Sequence, residues 1–377
     1  MATVTNTVRP RAAVLAMPEY HPPLAARTAL RLDFNENTFA PSPRVLERIR
    51  AITAEDLTKY PEREPVERIV AAHFGLQPSE VLLTNGVDEA IHVMCTAFLE
   101  ADDEALISTP TFFMYDVSIG LMTPNLIRIQ ADETFAFPFE RFLAAITPRT
   151  KLIMIASPNN PTGTVVDRQH LLAICAAAPQ AVVMVDEAYF HFHGETTLGD
   201  VPTIPNLMVA RTFSKAYGLA NLRAGMIAGP AELIGYVKKV CSPYNMNGVA
   251  LACLTEALAD QTYLDCYTRE VHMGRERFQA ALKELGVPFW PSSANFVLMN
   301  IGPKHKELCE AMRVRGVLLR DRSADPGCDG FVRITIGIED HVTRGIAALR
   351  ESLEDIGWTS PGSLAPAGPE EGEREYE

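Results

Sequence analysis

The sequence contains no CxxC pair, and its seven cysteines (Cys95, Cys175, Cys241, Cys253, Cys266, Cys309 and Cys328) are odd in number and scattered. That pattern argues against a disulfide framework or a zinc site and fits reduced core thiols. No apolar run approaches the length of a membrane span. The N-terminal stretch lacks the continuous apolar segment of a secretory signal, and Pro18 interrupts it. Basic residues are in deficit: 34 Lys and Arg stand against 47 Asp and Glu, for a formal charge of -13. An acidic surface attracts neither nucleic acid nor an anionic membrane, although a small basic pocket for an anionic substrate remains compatible with it. The expected location is therefore cytoplasmic, with no nucleic-acid or membrane partner.

What is present is an ordinary enzyme-like composition, 47% hydrophobic and 21% charged, over 377 residues. That length accommodates two domains or one large one. Short, nearly all-apolar runs alternate with helical stretches: VLLT (81–84), EALIST (104–109), KLIMIAS (151–157), AVVMVDEAY (181–189), NLMVARTF (206–213) and RAGMIAG (223–229). Such runs predict an α/β fold with a mostly parallel sheet covered on both faces, and polar residues gather where the runs end. Beyond residue 260 the pattern changes to a long helical stretch, then ANFVLMNI (294–301), KELCEAMRVRG, VLLRD and GFVRITIG. These read as a smaller α+β unit. The expected organisation is an N-terminal arm over 1–44 that returns to the small domain or crosses to a partner. It is followed by a large domain over 45–260, a small domain over 261–358 and a disordered Pro-, Gly- and Glu-rich tail over 359–377. No internal repeat is evident.

Three segments carry candidate chemistry. Directly after a predicted strand, ARTFSKAYGLANLRAG holds Thr212, Ser214, Lys215 and Arg223. A lysine there can form a Schiff base with an aldehyde cofactor, while two hydroxyls and a forked guanidinium suit a phosphate. The plain alternative is a strand-end lysine and a surface arginine. In Thr84-Asn85-Gly86-Val87-Asp88-Glu89 a strand gives way to a helix whose free N–H groups also suit an anion, unless Asn85 or Asp88 is only a cap. Asp186 closes a strand, where a carboxylate can face a pyridine nitrogen, and Tyr189 and Asn160 can reach a phenolic oxygen. Taken singly, each has an architectural reading. The same holds for Phe112 and Phe113 in TPTFFMYD, which either stack on a ring or pack the core. His191 and His193 lack a third ligand and are read as loop histidines, with no metal expected. Asp186-Glu187 and Glu339-Asp340 are read as solvated acids, not as a catalytic carboxylate pair.

Together, SPNNPTG, VDEAYF and RTFSKAYGLANLRAG resemble fold-type-I aminotransferases, particularly the histidinol-phosphate aminotransferase group. DFNEN (33–37), KYPE (59–62), TNGVDEAI (84–91), GVLLRDRS (316–323) and FVRITIG (331–337) extend the resemblance from about Pro18 to Leu353. It implies a pyridoxal 5'-phosphate cofactor bound covalently by Lys215, which would also move the proton, with Asp186 at the ring nitrogen. Tyr189 and Asn160 would meet the phenolic oxygen and Phe112 the ring face. Gly86, Val87, Asp88, Thr212, Ser214 and Arg223 would hold the phosphate, joined by Tyr60 from a second copy in a homodimer. For the substrates, a small-molecule amino donor and a 2-oxo acid, it implies Tyr20, Asn35, Asn160, Arg320 and Arg333. Arg333 would take an α-carboxylate and Arg320 the distal anion. The sequence departs from the family pattern in four places. Phe112 replaces a Tyr, Phe113 and Asn221 each replace a Gly, and EYHPP stands where PYxPG is usual. The implied reaction is transamination of histidinol phosphate with 2-oxoglutarate. An aromatic amino-acid aminotransferase is the alternative, followed by a decarboxylase or lyase on the same fold and by a non-catalytic α/β binding protein.

Overall fold

The computed structural model describes residues 8–17 and 28–360. Tyr20 and the greater part of the predicted tail lie outside the described residues. After β1 (Leu30–Arg31) come β2 (Val81–Thr84), β3 (Glu104–Thr109), β4 (Leu126–Gln130), β5 (Thr150–Ala156), β6 (Val182–Asp186), β7 (Leu207–Thr212) and β8 (Gly225–Ala228). These last seven form one sheet in the order β2-β8-β7-β6-β5-β3-β4. All run parallel except β8, which is antiparallel to both of its neighbours. The α/β expectation of a mostly parallel central sheet is met.

Two apolar faces explain why the strands are nearly continuous hydrophobic runs. Side chains alternate along a strand. Leu82, Leu152, Met154, Met184, Met208 and Ile227 share one core cluster with helix Gly86–Phe98. Leu83, Ile153, Ile155, Val183, Val185 and Val209 belong to the cluster on the other face. The edge strand β4 is absent from the predicted series because Arg128 breaks its apolar run and its residues are only partly buried.

A second, antiparallel sheet has the order β12-β13-β10-β9, formed by β9 (Phe289–Trp290), β10 (Phe296–Asn300), β12 (Arg320–Asp321) and β13 (Phe331–Thr335). The run VLLRD is not one strand. It breaks at Leu319 into β11 (Val317–Leu318), which pairs parallel with β1, and β12, which pairs with β13. The arm is thereby threaded into this sheet's surroundings: Leu32 N–H donates to Leu318 O at 3.1 Å and Thr335 N–H to Leu32 O at 2.8 Å. All seven cysteines are free thiols. No described helix is long and apolar enough to cross a membrane.

The C-terminal ends of the parallel strands share one edge. Ala156 pairs with Asp186 and Asp186 with Ala210. Across β8, Gly225 pairs with both Thr84 and Thr212. The loops after Thr84, Thr109, Ala156, Asp186 and Thr212 are consequently neighbours. Gly225 makes this possible, because a Cβ there would lie 2.7 Å from the Gly86 carbonyl carbon and 2.9 Å from Val87 N. Gly225→Ala is expected to destabilise the fold by about 1–3 kcal/mol. Denaturant unfolding measures this, and an unchanged midpoint would show that the Gly86 turn can retreat freely.

Candidate active site

Strand parity sets the first part of the site. Asp186 continues the side of β6 that carries Val182 and Met184, the side covered by helix Gly86–Phe98. It is 4% exposed. Its Oδ2 accepts from the Tyr115 hydroxyl at 2.7 Å and its Oδ1 from Ala188 N–H at 3.0 Å. Burial pushes this carboxyl up to about 6, against the pull of those two donors, and the charges of Asp88 and Glu187 add to the rise. Tyr189, buried one turn on, accepts from Asn35 Nδ2 at 3.0 Å and sets its ring edge-on to Phe296. Asn35 is fixed by the small sheet: its N–H donates to Thr335 Oγ1 and its carbonyl accepts from Asn295 Nδ2.

Lys215 stands three residues past β7. Its ammonium donates to Phe34 O at 3.1 Å and lies 5.9 Å from the centre of the Tyr189 ring. Burial, reinforced by Arg333, pushes it down to about 8. Ser214 N–H donates to Thr212 Oγ1, and both hydroxyl residues are buried. The loop then returns through Arg223, whose backbone is left-handed at φ 55°. Its guanidinium donates to Ala220 O and to Asp88 Oδ2, the latter at 2.8 Å, and occupies the space that a Cβ on Gly86 would need. Asn85 makes no side-chain cap on helix Gly86–Phe98. The first turn of that helix abuts the Arg223 guanidinium at Gly86, and Thr212 pairs with Gly225 beside it, an arrangement that suits an anion.

The second sheet contributes arginines. Arg333 is 5% exposed. It donates to Asn160 Oδ1 at 2.5 Å and to Asp33 O at 2.8 Å. Burial, with Arg322 and Arg320 nearby, pushes its guanidinium down to about 9. Arg320 is its cross-strand partner and lies over the Phe34 ring at 5.5 Å. Like charges at paired strand positions repel unless an anion lies between or beside them. Asp325 is half-buried within the field of the three arginines and ion-pairs with Arg322. Asp321 is engaged by His305 and by Ser323 N–H.

Of the expected residues, Phe112 meets Tyr115 edge-on at 5.9 Å beside Asp186, whereas Tyr60 does not join the group. Tyr60 is 77% exposed, stacks on Tyr244 and borders a separate cavity of about 400 Å³. Asp186 and Glu187 are not the solvated acids expected from sequence; both are buried, on opposite faces of the sheet. Glu187 makes a 2.8 Å ion pair with Arg211, each 3% exposed, and accepts from Thr196, Thr197 and the Thr197 N–H. Arg211 lies over Phe190 at 3.8 Å and Phe74 at 5.0 Å. Residues that sequence reading missed are Tyr115, the Phe34 carbonyl and this pair. Alternation places Glu187 and Arg211 on the face away from Asp186 and Thr212, but only the pairing of β6 with β7 brings them together. Burial pushes His191 down to about 3, and the described residues hold no His, Cys, Asp or Glu cluster fit for a metal.

The family model described as aminotransferase class I and II matches residues 27–349. The histidinol-phosphate aminotransferase of Caldanaerobacter subterraneus is 33% identical over 331 residues, 86% of this chain and 93% of that protein. Histidinol-phosphate aminotransferase 1 of Bacillus cereus is 32% identical over 333 residues, covering 86% and 89%. Among solved structures, the histidinol-phosphate aminotransferase of Sinorhizobium meliloti in complex with pyridoxal-5'-phosphate superposes with a TM-score of 0.82. It shares 25% identity over 94% of this chain and 99% of that one. L-threonine-O-3-phosphate decarboxylase of Porphyromonas gingivalis, 23% identical over 86% and 99%, shares the fold with a TM-score of 0.76.

The raised carboxyl gives a stability test. A buried acid whose folded value lies above its unfolded value near 4 binds more protons in the folded state, so stability falls as pH rises from about 4 to about 6 and stays low above that. Asp186→Asn removes this loss and leaves Tyr115 an acceptor. Without added ligand, the variant is expected to be more stable than the parent at pH 8 by on the order of 2–3 kcal/mol, with the gap closing towards pH 4. Unfolding curves across that range check it; a gap that widens on acidification contradicts the buried, strained carboxylate.

Proposed function

The chain belongs to the histidinol-phosphate aminotransferase family of the fold-type-I aminotransferases, and on that premise we propose that it uses pyridoxal 5'-phosphate to exchange an amino group between histidinol phosphate and 2-oxoglutarate. The products are imidazole-acetol phosphate and glutamate, reversibly. The observation that carries this reading is the meeting of buried Asp186, downshifted Lys215 and a glycine-lined anion cradle at one sheet edge.

The residues present fit the cofactor. Gly86 and Gly225 leave no room for a Cβ beside the cradle. The buried Thr84 Oγ1 and Arg333 Nε have no hydrogen-bond partner among the described residues. When bound, the cofactor supplies an aldehyde for amines and a ring that takes up electrons as the substrate C–H bond breaks. In this reading Lys215 would hold the cofactor through its aldehyde with loss of water, and would be freed when a substrate amine takes its place. Its value near 8 leaves a useful fraction of free amine close to neutral pH, so its Nζ can take a proton from the substrate carbon and return it. Asp186 holds the proton on the ring nitrogen. Tyr189, steadied by Asn35, and Asn160, steadied by Arg333, hold the phenolic oxygen. Thr212, Ser214, Arg223 and the N–H groups of Val87 and Asp88 would hold the phosphate, and Phe112 would meet the ring. Arg333 binds the α-carboxylate of the glutamate half-reaction, and Arg320 the distal carboxylate or phosphate. Tyr20 is assigned to the substrate by resemblance alone.

We assign the large domain to 45–260 and the small one to 261–358 with the arm, and the enzyme to the cytoplasm. Tyr60, exposed beside Leu57 and Tyr244, is taken to reach the phosphate of a second copy in a homodimer. Aromatic amino acids are the second reading, favoured by the added ring of Phe113, 36% exposed next to Phe112.

Borohydride reduction with pyridoxal phosphate, followed by peptide mass mapping, is expected to label Lys215; equal activity with the label on another lysine overturns the assignment. The substrate is decided by half-reactions. Arg320→Gln is expected to slow histidinol phosphate and glutamate by at least about tenfold, the scale of one charged hydrogen bond, while leaving phenylalanine nearly unchanged. Arg333→Gln is expected to slow glutamate and phenylalanine. Stopped-flow measurement of each half-reaction checks both, and an unaltered histidinol-phosphate rate in Arg320→Gln removes the distal anchor.

A further inference from the structure

Tyr115 lies in helix Met114–Gly120 and is fully buried. Its ring edge meets Phe112, with centroids 5.9 Å apart and planes at 88°. Its hydroxyl donates to Asp186 Oδ2 at 2.7 Å, while Ala188 N–H holds Oδ1. Each carboxylate oxygen therefore has its own protein donor, and the rotation of the group is fixed. We propose that Tyr115 is a positioning residue for the transamination, locking the Asp186 carboxylate and the Phe112 ring into one rigid unit that meets the cofactor at its nitrogen and at its face. This rests on the reading that the site takes pyridoxal phosphate.

The alternative is that a buried tyrosine has merely found an acceptor. The acceptor is what separates the two. A phenol donating to a carboxylate makes a charge-assisted bond that steadies the ionised form, so it alters what Asp186 does as well as where it sits. The charged and titratable groups around Asp186 are Tyr115 from its helix, Asp88 from helix Gly86–Phe98, and Glu187 and Tyr189 from the exit of β6. The strand neighbours, Ala156 and Ala210, carry no charge. Asp88 and Glu187 favour protonation of Asp186; the Tyr115 hydroxyl and Ala188 N–H oppose it. Removing the hydroxyl leaves the two acids less opposed, and Asp186 protonates at higher pH.

The test is pyridoxal-phosphate affinity of the full chain between pH 5.5 and pH 9, read by equilibrium dialysis, with the melting of the cofactor-free protein as a control. Tyr115→Phe is expected to weaken binding about tenfold at pH 7 and to move the acid edge of binding up by about one pH unit. In an Asp186→Asn background the same substitution is expected to change affinity less than about twofold, because the partner it acts through is gone. Incorporating 3-fluorotyrosine at 115, a stronger donor of nearly the same shape, is expected to move the edge down, and it decides the matter if Tyr115→Phe does not fold. An unmoved acid edge, or an equal loss in the Asp186→Asn background, overturns the proposal and leaves Tyr115 as packing. If the parent chain itself binds no pyridoxal phosphate and exchanges no amino group, the functional reading fails first, and this inference falls with it.

Discussion

Burying Asp186 at the end of a central strand takes a charge out of water, and neighbouring residues offset that cost. Tyr115 and Ala188 each give one oxygen a hydrogen bond, yet the carboxyl still rises to about 6. In the role proposed for it at a ring nitrogen, this carboxylate would gain from a bound cation, because a poorly solvated anion gains most from one. Lys215 carries the mirror image of this strain, an ammonium pushed down to about 8. Both shifts lower the stability of the fold near neutral pH.

The opposite face of the same strands shows how that strain is tolerated. Glu187 and Arg211 sit one residue from Asp186 and Thr212, so alternation sends them to the other side of the sheet. There they form a satisfied ion pair between two aromatic rings. Because it bridges β6 and β7 at their exits, it ties together the loops bearing Tyr189 and Lys215. A pair this buried adds little net stability over an apolar replacement, but loss of one partner leaves the other charge stranded, typically at about 3–5 kcal/mol.

The arm joins the two sheets chemically. Residues 33–35 give Arg333, Lys215 and Tyr189 a hydrogen-bond partner each, and those three side chains come from separate parts of the chain. Any shift of the second sheet is therefore felt at the lysine and at the phenol. Arg320 and Arg333, opposed across β12 and β13, make this shared region cationic within an acidic protein.

Much of the architecture was legible in the sequence. Apolar runs such as VLLT and NLMVARTF read as buried strands, and β2 and β7 lie within them. The candidate roles of Lys215, Asp186, Asn160 and Arg223 rest on the family resemblance of SPNNPTG, VDEAYF and RTFSKAYGLANLRAG taken together, since each residue alone has an architectural reading. The polar edge strand β4 and the split of VLLRD were not readable, since pairing partners rather than propensity decide them. Tertiary structure alone decided that Tyr115 meets Asp186, 71 residues away, that Glu187 is buried against Arg211, and that the arm supplies acceptors to Lys215 and Arg333. These contacts depend on which strand ends lie side by side, and that order follows from burying both faces of the whole sheet at once, a condition no single segment contains.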